Sequence, residues 1–460
     1  MSRYRAQYVL ADGAFRDAWA VEVTADGRIA EVGPARSDDV DLGAVAIIPG
    51  LVNAHSHSFQ RVIRGRTEWL DPSRPDEDFW TWRERMYGAA ARLDPDSIYD
   101  VARWTFLEML STGITTVGEF HYVHHQPGGV PYEDRTVLAR RVVAAARDVG
   151  IRIVLLRVAY QRGGFGRPAA PEQLRFIDAD VDAVLADAET LASDHRDDDA
   201  VAVGLAPHSI RAVDRRWLEE LGAAARRADM PLHIHACEQR REIDESRAEY
   251  GVTPLEAFDE FGILDDRLTL VHATHLSEPE LALAASRRPT VCACPTTERN
   301  LGDGFLPASR LVQAGVPICL GSDSHADIDL FEEARLVEYH ERLRHERRNV
   351  LAAAALSTSG SGQTAAVLWP MLAAAGARSL RQNVGTLRPG AWADFATLDL
   401  NHPTLLGADR DSLLTHVCLS TAPAAVRDVF VGGRHIIRDR RHPARDDAAA
   451  AFLRSARELR

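Results

Sequence analysis

From residue 46 onward, short apolar runs recur along the chain with amphipathic stretches between them. The runs span 46–54, 114–120, 151–159, 201–206, 231–236, 268–273, 289–294 and 317–320. Each is near strand length and is bounded by Gly, Pro or polar residues. The stretches between them, such as 97–110, 135–149, 173–192 and 214–228, carry a helical pattern. Eight buried strands alternating with helices predict a (β/α)8 TIM barrel. The chain before the barrel reads differently. Alternating runs at 20–24 and 29–32 flank Ala25-Asp26-Gly27-Arg28, and an Asp-Gly pair between two such runs signals a hairpin. Strand character returns at 385–398 and 426–431. The expected organisation is therefore a small β-sandwich domain formed by residues 1–47 and 381–460. The barrel, 48–380, is inserted between its halves, and a surface helix covers 444–459.

Several of the eight runs end in a chemically capable side chain: His55 and His57, His121, Tyr160, His208, His235, His272 and Asp323. Barrel active sites sit at the C-terminal ends of the strands, so this edge is the expected catalytic face. Side chains two apart on a strand point the same way, so His55 and His57 can grip one ion together. His235 ends the fifth run, across the barrel, and Asp323 follows the eighth, beside the first. Ligands arriving from both sides can enclose a metal and leave a position for water, as a hydrolytic centre needs. Zinc suits three histidines and a carboxylate, and iron(II) is compatible with them. Glu238, three residues past His235, is placed to move a proton beside that water. His272 can orient the water and stabilise developing charge. His233, one layer deeper, reads as a buried hydrogen-bonded histidine and His275 as structural, while His325 stays open between the two roles.

Composition narrows the chemistry. The net charge of −13 argues against nucleic acid or an anionic membrane as partner. No apolar run reaches the ~18 residues of a membrane span. No apolar signal core follows the first residues, so a cytoplasmic protein is expected. The five cysteines fit no disulfide framework. Cys292-x-Cys294 lies in an apolar run with no matching second pair and reads as buried strand thiols rather than half a zinc site. The chain contains no lysine at all. A carboxylated-lysine bridge between two metals cannot be built from it, nor can a lysine Schiff base.

Two segments resemble the amidohydrolase superfamily: Pro-Gly-Leu-Val-Asn-Ala-His-Ser-His at 49–57 and Gly-x-x-x-Pro-Gly-x-x-Ala-Asp at 385–394. His235 with Glu238, and no bridging lysine, is similar to its single-metal deaminase branch. Within that branch, the segments beginning at His55, Phe79, Glu119, His208, His233, Val271 and Asn300 resemble the formimidoylglutamate deiminase family. Phe-Trp-x-Trp-Arg at 79–83 and Glu-Phe-His-Tyr-Val-His-His at 119–125 carry most of that likeness. The resemblance implies a barrel of the metal-dependent hydrolase type and hydrolysis of N-formimidoyl-L-glutamate to N-formyl-L-glutamate and ammonia, within histidine degradation. It implies one divalent ion on His55, His57, His235 and Asp323, with Glu238, His272 and again Asp323 catalytic. It places substrate contacts on Gln60, Arg83, Tyr122, His208 and Arg211, and suggests a homodimer. The residues agree with the small dicarboxylate substrate that the resemblance implies, since Arg83 and Arg211 can both face the barrel mouth and arginine forks match carboxylates. Trp80 and Trp82 can wall the pocket. Two rivals remain: a related deaminase acting on a purine, pyrimidine or guanidine-like compound, and a non-catalytic assembly protein on the same fold.

Overall fold

The computed structural model describes residues 2–70, 72, 78–359 and 362–459. At its centre stand eight parallel strands, β1 (Leu51–Ser56), β2 (Ile114–His121), β3 (Arg152–Ala159), β4 (Val201–Pro207), β5 (Leu232–Ala236), β6 (Leu268–His272), β7 (Thr290–Ala293) and β8 (Ile318–Leu320). Each pairs with the next in chain order. The ring closes where Ser56 bridges Asp323. There the Asp323 amide donates to His55 O and the His57 amide donates to Asp323 O, both at 3.1 Å. The closing bonds of the barrel are thus made by His55, His57 and Asp323, three of the residues expected from the sequence to hold a metal. The strands are buried almost end to end, as a sheet covered on both faces requires.

The first apolar run does not form one strand. It divides at Gly50 into Val45–Pro49, which leaves the barrel, and β1, which enters it. A Cβ at Gly50 would lie 2.1 Å from Thr115 Oγ1, so only glycine fits where the chain crosses from one sheet to the other. The helix expected over 173–192 starts later, at Val181, where the Asp180 side chain caps Ala183 N. The segment before it is a loop wall. Within it buried Arg175 donates to His125 O at 2.9 Å and Leu93 O at 2.8 Å.

Two further sheets flank the barrel. A four-stranded sheet runs Ile29–Pro34, Trp19–Val23, Ser2–Arg5, Val40–Asp41. The predicted hairpin is its Trp19–Val23 and Ile29–Pro34 pair, with Gly27 at φ +82° in the turn. A six-stranded sheet runs Arg434–Ile437, Val426–Val431, Phe395–Asp399, Val45–Pro49, Tyr8–Ala11, Ala14–Asp17. Val21, Val23 and Ile29 from the first sheet share a core with Val9, Ile47, Phe395 and Phe430 from the second, so the two form a sandwich. The C-terminal helix Arg445–Glu458 lays Ala448, Ala451 and Ala456 inward. Its Phe452 stacks on Trp104 of helix Pro95–Ser111, ring centroids 6.0 Å apart.

Candidate metal centre and active site

The turn after β1 is pinned from below. Glu119, near the end of β2, accepts from Ser56 Oγ at 2.6 Å, Ser58 N at 2.7 Å and Ser58 Oγ at 2.6 Å. This holds His55 and His57 in register with β5 and β8. His57 Nδ1 sits 3.0 Å from Phe120 O and His235 Nδ1 2.9 Å from His208 O. A carbonyl only accepts, so both Nδ1 atoms carry the hydrogen and both Nε2 lone pairs point inward. There they meet His55 Nε2, 3.1 Å from His57 Nε2 and 3.2 Å from His235 Nε2. Asp323 Oδ1 lies 3.2 Å from both His55 and His57 Nε2. Lone pairs converging at this range, with backbone carbonyls fixing the far sides of two rings, are the donor set a cation satisfies. Burial holds His55 down to about 3 and His235 well below its ordinary value, so both are the neutral imidazoles that bind metal. These residues fit a single divalent ion.

Backbone strain marks the same edge. Asp323 has φ +46° and His272 φ +72°, left-handed values that non-glycine residues adopt at a cost of about 1–3 kcal/mol each. The reversal turns the two side chains toward each other, with His272 Nε2 3.8 Å from Asp323 Oδ2 and 3.7 Å from Glu238 Oε1. On its other side His272 Nδ1 faces Glu298 Oε1 at 3.4 Å. Burial opposes charge on this ring, yet Glu238, Glu298 and Asp323 together push it up to about 10.

Arg211, past β4, donates from Nη2 to Glu238 Oε2 at 3.1 Å and pairs through Nε with Glu242 Oε2 at 2.9 Å. Its Nη1 has no partner among the described residues. Glu242 is wholly buried in the first turn of helix Arg240–Tyr250 and also accepts from Cys237 N at 2.7 Å. Burial raises it to about 7 against the pull of Arg211. Arg211 is therefore less free than the sequence suggests: two of its three nitrogens are committed to carboxylates. Arg83, on helix Phe79–Ala90, has no carboxylate partner among the described residues. Its guanidinium lies over Trp80 at 4.5 Å and Tyr87 at 5.4 Å.

Above the cluster opens a cavity of about 260 Å³. Of the residues singled out from sequence, His57, His235, Asp323, Glu238, His272, Gln60, Arg83, Tyr122, His208 and Arg211 line it, and His55 forms its buried floor. Gln60 donates to Tyr122 Oη at 2.9 Å. Trp80 and Trp82 are in the wall. His233 is buried with Nε2 3.1 Å from Ser379 O, as expected. His325 proves buried between Ser322 and Ser56 hydroxyls at 3.0 and 3.2 Å. The sequence reading missed Arg167 and Arg241, two further arginines of the wall that share Glu245. Arg241 was hidden in the charged run 239–242. Its signal was the spacing: Arg241 and Glu245 stand four apart on helix Arg240–Tyr250 and so share one face.

A barrel carrying three histidines and an aspartate at its C-terminal edge is the form of a metal-dependent hydrolase, and the match to the Amidohydrolase family over residues 46–436 shows that the chain belongs to that family. It is 39% identical over 445 residues to a formimidoylglutamate deiminase of Pseudomonas aeruginosa, across 95% of each chain. The crystal structure of an amidohydrolase from Brucella melitensis superposes with a TM-score of 0.91 at 33% identity over the whole of both chains. An adenosine deaminase from Xanthomonas campestris, solved with bound zinc, superposes at 0.79 with 27% identity, covering 99% of this chain and 97% of that one.

Proposed function

We propose that the protein hydrolyses N-formimidoyl-L-glutamate to N-formyl-L-glutamate and ammonia, a step of histidine breakdown. The observation that carries this reading is the juxtaposition of a four-ligand metal cluster with a small cavity walled by Arg83, Arg167, Arg211 and Arg241. In a chain of net charge −13, four guanidinium groups around one cavity are matched to a substrate with two carboxylates. The Pseudomonas aeruginosa relative bears the name of this activity. A purine nucleoside such as the adenosine named for the Xanthomonas campestris relative would use the aromatic walls but bring no carboxylate to Arg83 or to the free Nη1 of Arg211.

The metal on His55, His57, His235 and Asp323 would be zinc, supplying a water acidic enough to attack at neutral pH. The chain's own residues do the rest. Arg83 and the free edge of Arg211 hold the carboxylates, with Gln60, Tyr122 and His208 fixing the formimidoyl group against the floor. Asp323 takes the proton from the attacking water as its oxygen bonds to the formimidoyl carbon. His272, held by Glu298, stabilises the charge that builds there. Glu238 gives a proton to the terminal nitrogen and regains one from the new hydroxyl group, the proton held by Asp323 passes to the same nitrogen, the carbon–nitrogen bond breaks as the oxygen becomes the formyl carbonyl, and ammonia leaves.

The test is steady-state ammonia release from N-formimidoyl-L-glutamate beside N-formimidoyl-L-aspartate, free formamidine, adenosine, guanine and cytosine. A kcat/KM for the glutamate derivative at least 10²-fold above every other compound is expected. Preference for a nucleobase or nucleoside would replace this reading with the purine or pyrimidine one, and release from none would sink both.

A further inference from the structure

Cys294 stands at the end of β7, on the same edge of the barrel as the metal cluster, and it is wholly buried. Among the described residues its thiol meets only weak partners on Cys292, the side chain and the carbonyl oxygen at 4.0 Å. It does have neighbours of another kind. Cys294 Sγ, an imidazole nitrogen of His272 and a carboxylate oxygen of Asp323 lie within 4.8 Å of one another. Gly321 makes the approach possible. A Cβ there would lie 2.7 Å from His55 Cβ and 3.1 Å from Cys294 Sγ, so the thiol backs onto the same glycine as the first cluster. Asp323 has two oxygens. Oδ1 faces His55 and His57, while Oδ2 faces His272 Nε2 at 3.8 Å.

The geometry points to a second, inhibitory site for a soft divalent ion, held by His272, Cys294 and Asp323, with Asp323 bridging it to the first. Sulfur, imidazole and carboxylate suit zinc or cadmium and not calcium or magnesium. The three donor atoms lie within 4.8 Å of one another, against the ~4.3 Å that one Zn–S and one Zn–N bond cover end to end. Side-chain adjustment of the order of half an ångström or more brings them around one ion, and less is needed for the larger cadmium ion. The surroundings favour a cation, since Glu238 and Glu298 both face His272. Binding replaces the S–H bond of Cys294 and one N–H bond of the His272 ring with bonds to the metal, and both protons leave to solvent. The ion then occupies His272 Nε2 and blocks the gap to Glu238, so turnover stops. This part rests on the roles proposed above for His272 and Glu238; the binding itself does not. Cys292-x-Cys294 is thus not half of a structural zinc site, but its second thiol is not inert either.

The experiment starts from protein loaded with one zinc per chain and adds Cd²⁺ without substrate, reading bound metal and thiolate-to-cadmium ultraviolet absorbance. Wild type is expected to reach two ions per chain and to gain the band, because the first site contains no sulfur. Cys294→Ser, which keeps a side chain suited to begin helix Pro295–Leu301, is expected to stop at one ion with no band. In a separate assay, Cd²⁺ should inhibit ammonia release by wild type at a concentration at least tenfold below that needed for Cys294→Ser. Cys292→Ser and Cys319→Ser should retain the band. The site is overturned if wild type stops at one ion, if the band survives Cys294→Ser, or if it disappears in Cys292→Ser or Cys319→Ser. Because metal count and absorbance are read without substrate, failure of the proposed reaction would leave them unchanged.

Discussion

Glu238 and Arg211 touch at 3.1 Å, and that contact joins the two halves of the proposed chemistry, proton transfer and carboxylate binding. Replacing Glu238 with Gln keeps the shape and the contact but removes the proton carrier. Metal content should stay at the wild-type level while kcat falls by about 10²-fold or more; metal analysis beside steady-state kinetics checks both halves of this. Behind Arg211, Glu242 makes the arginine's grip pH-dependent. Burial, against the pull of Arg211, sets Glu242 near 7. Below that pH it takes a proton, its pairing with Arg211 weakens, and the guanidinium is freer to swing out of line. KM for a dicarboxylate should therefore rise as pH falls through 7, and Glu242→Gln should show a raised KM that no longer changes across that range. A KM–pH profile for each protein decides it. The four residues of the proposed metal cluster were legible one by one because each ends or closely follows a recognisable apolar run. Glu242 and Glu298 were not, because burial of a carboxylate is a fact of three dimensions and both sit among ordinary polar neighbours.

At the scale of elements, the close approach of β8 to β1 is what sets the metal cluster. Gly321 lies where a methyl group would meet His55 Cβ at 2.7 Å and His55 O at 2.9 Å. Gly321→Ala must push these two strand ends apart, and with them His55 and Asp323. The expected result is a ten- to hundredfold loss of zinc affinity with the barrel still folded, read by competition with a chromogenic chelator and by circular dichroism. Strand count and order were legible because every barrel strand is an apolar run closed by Gly, Pro or polar residues. The split at Gly50 was not. The apolar run continues from Val45–Pro49 into Leu51 and Val52, and only the Thr115 side chain, brought in from β2, shows that the chain changes sheet at Gly50. The late start of helix Val181–Asp194 has a similar cause. Arg175 is anchored by carbonyls from two distant segments, which local periodicity does not register.

For the whole molecule, the ligands of the proposed ion come from β1, β5 and the turn after β8, so the metal ties opposite sides of the ring. An ion bound 100-fold above its Kd adds about 2.7 kcal/mol to the folded state by mass action. Removing it by chelation should lower Tm by several degrees, at the ~2–4 °C per kcal/mol of larger domains. Scanning calorimetry should show the loss reversed by zinc, reproduced in Glu238→Gln, and absent in His235→Ala, which has no ion to lose. The six-stranded sheet imposes a constraint of a different sort. Ile47 lies opposite Thr397, about 350 residues away along the chain, so this pairing has among the highest contact orders the fold contains. On the ribosome the strand Val45–Pro49 emerges early and waits, its edge unpaired, until nearly all of the chain has been made. Completion of this sheet thus waits for the strands Phe395–Asp399 and Val426–Val431 to be synthesised.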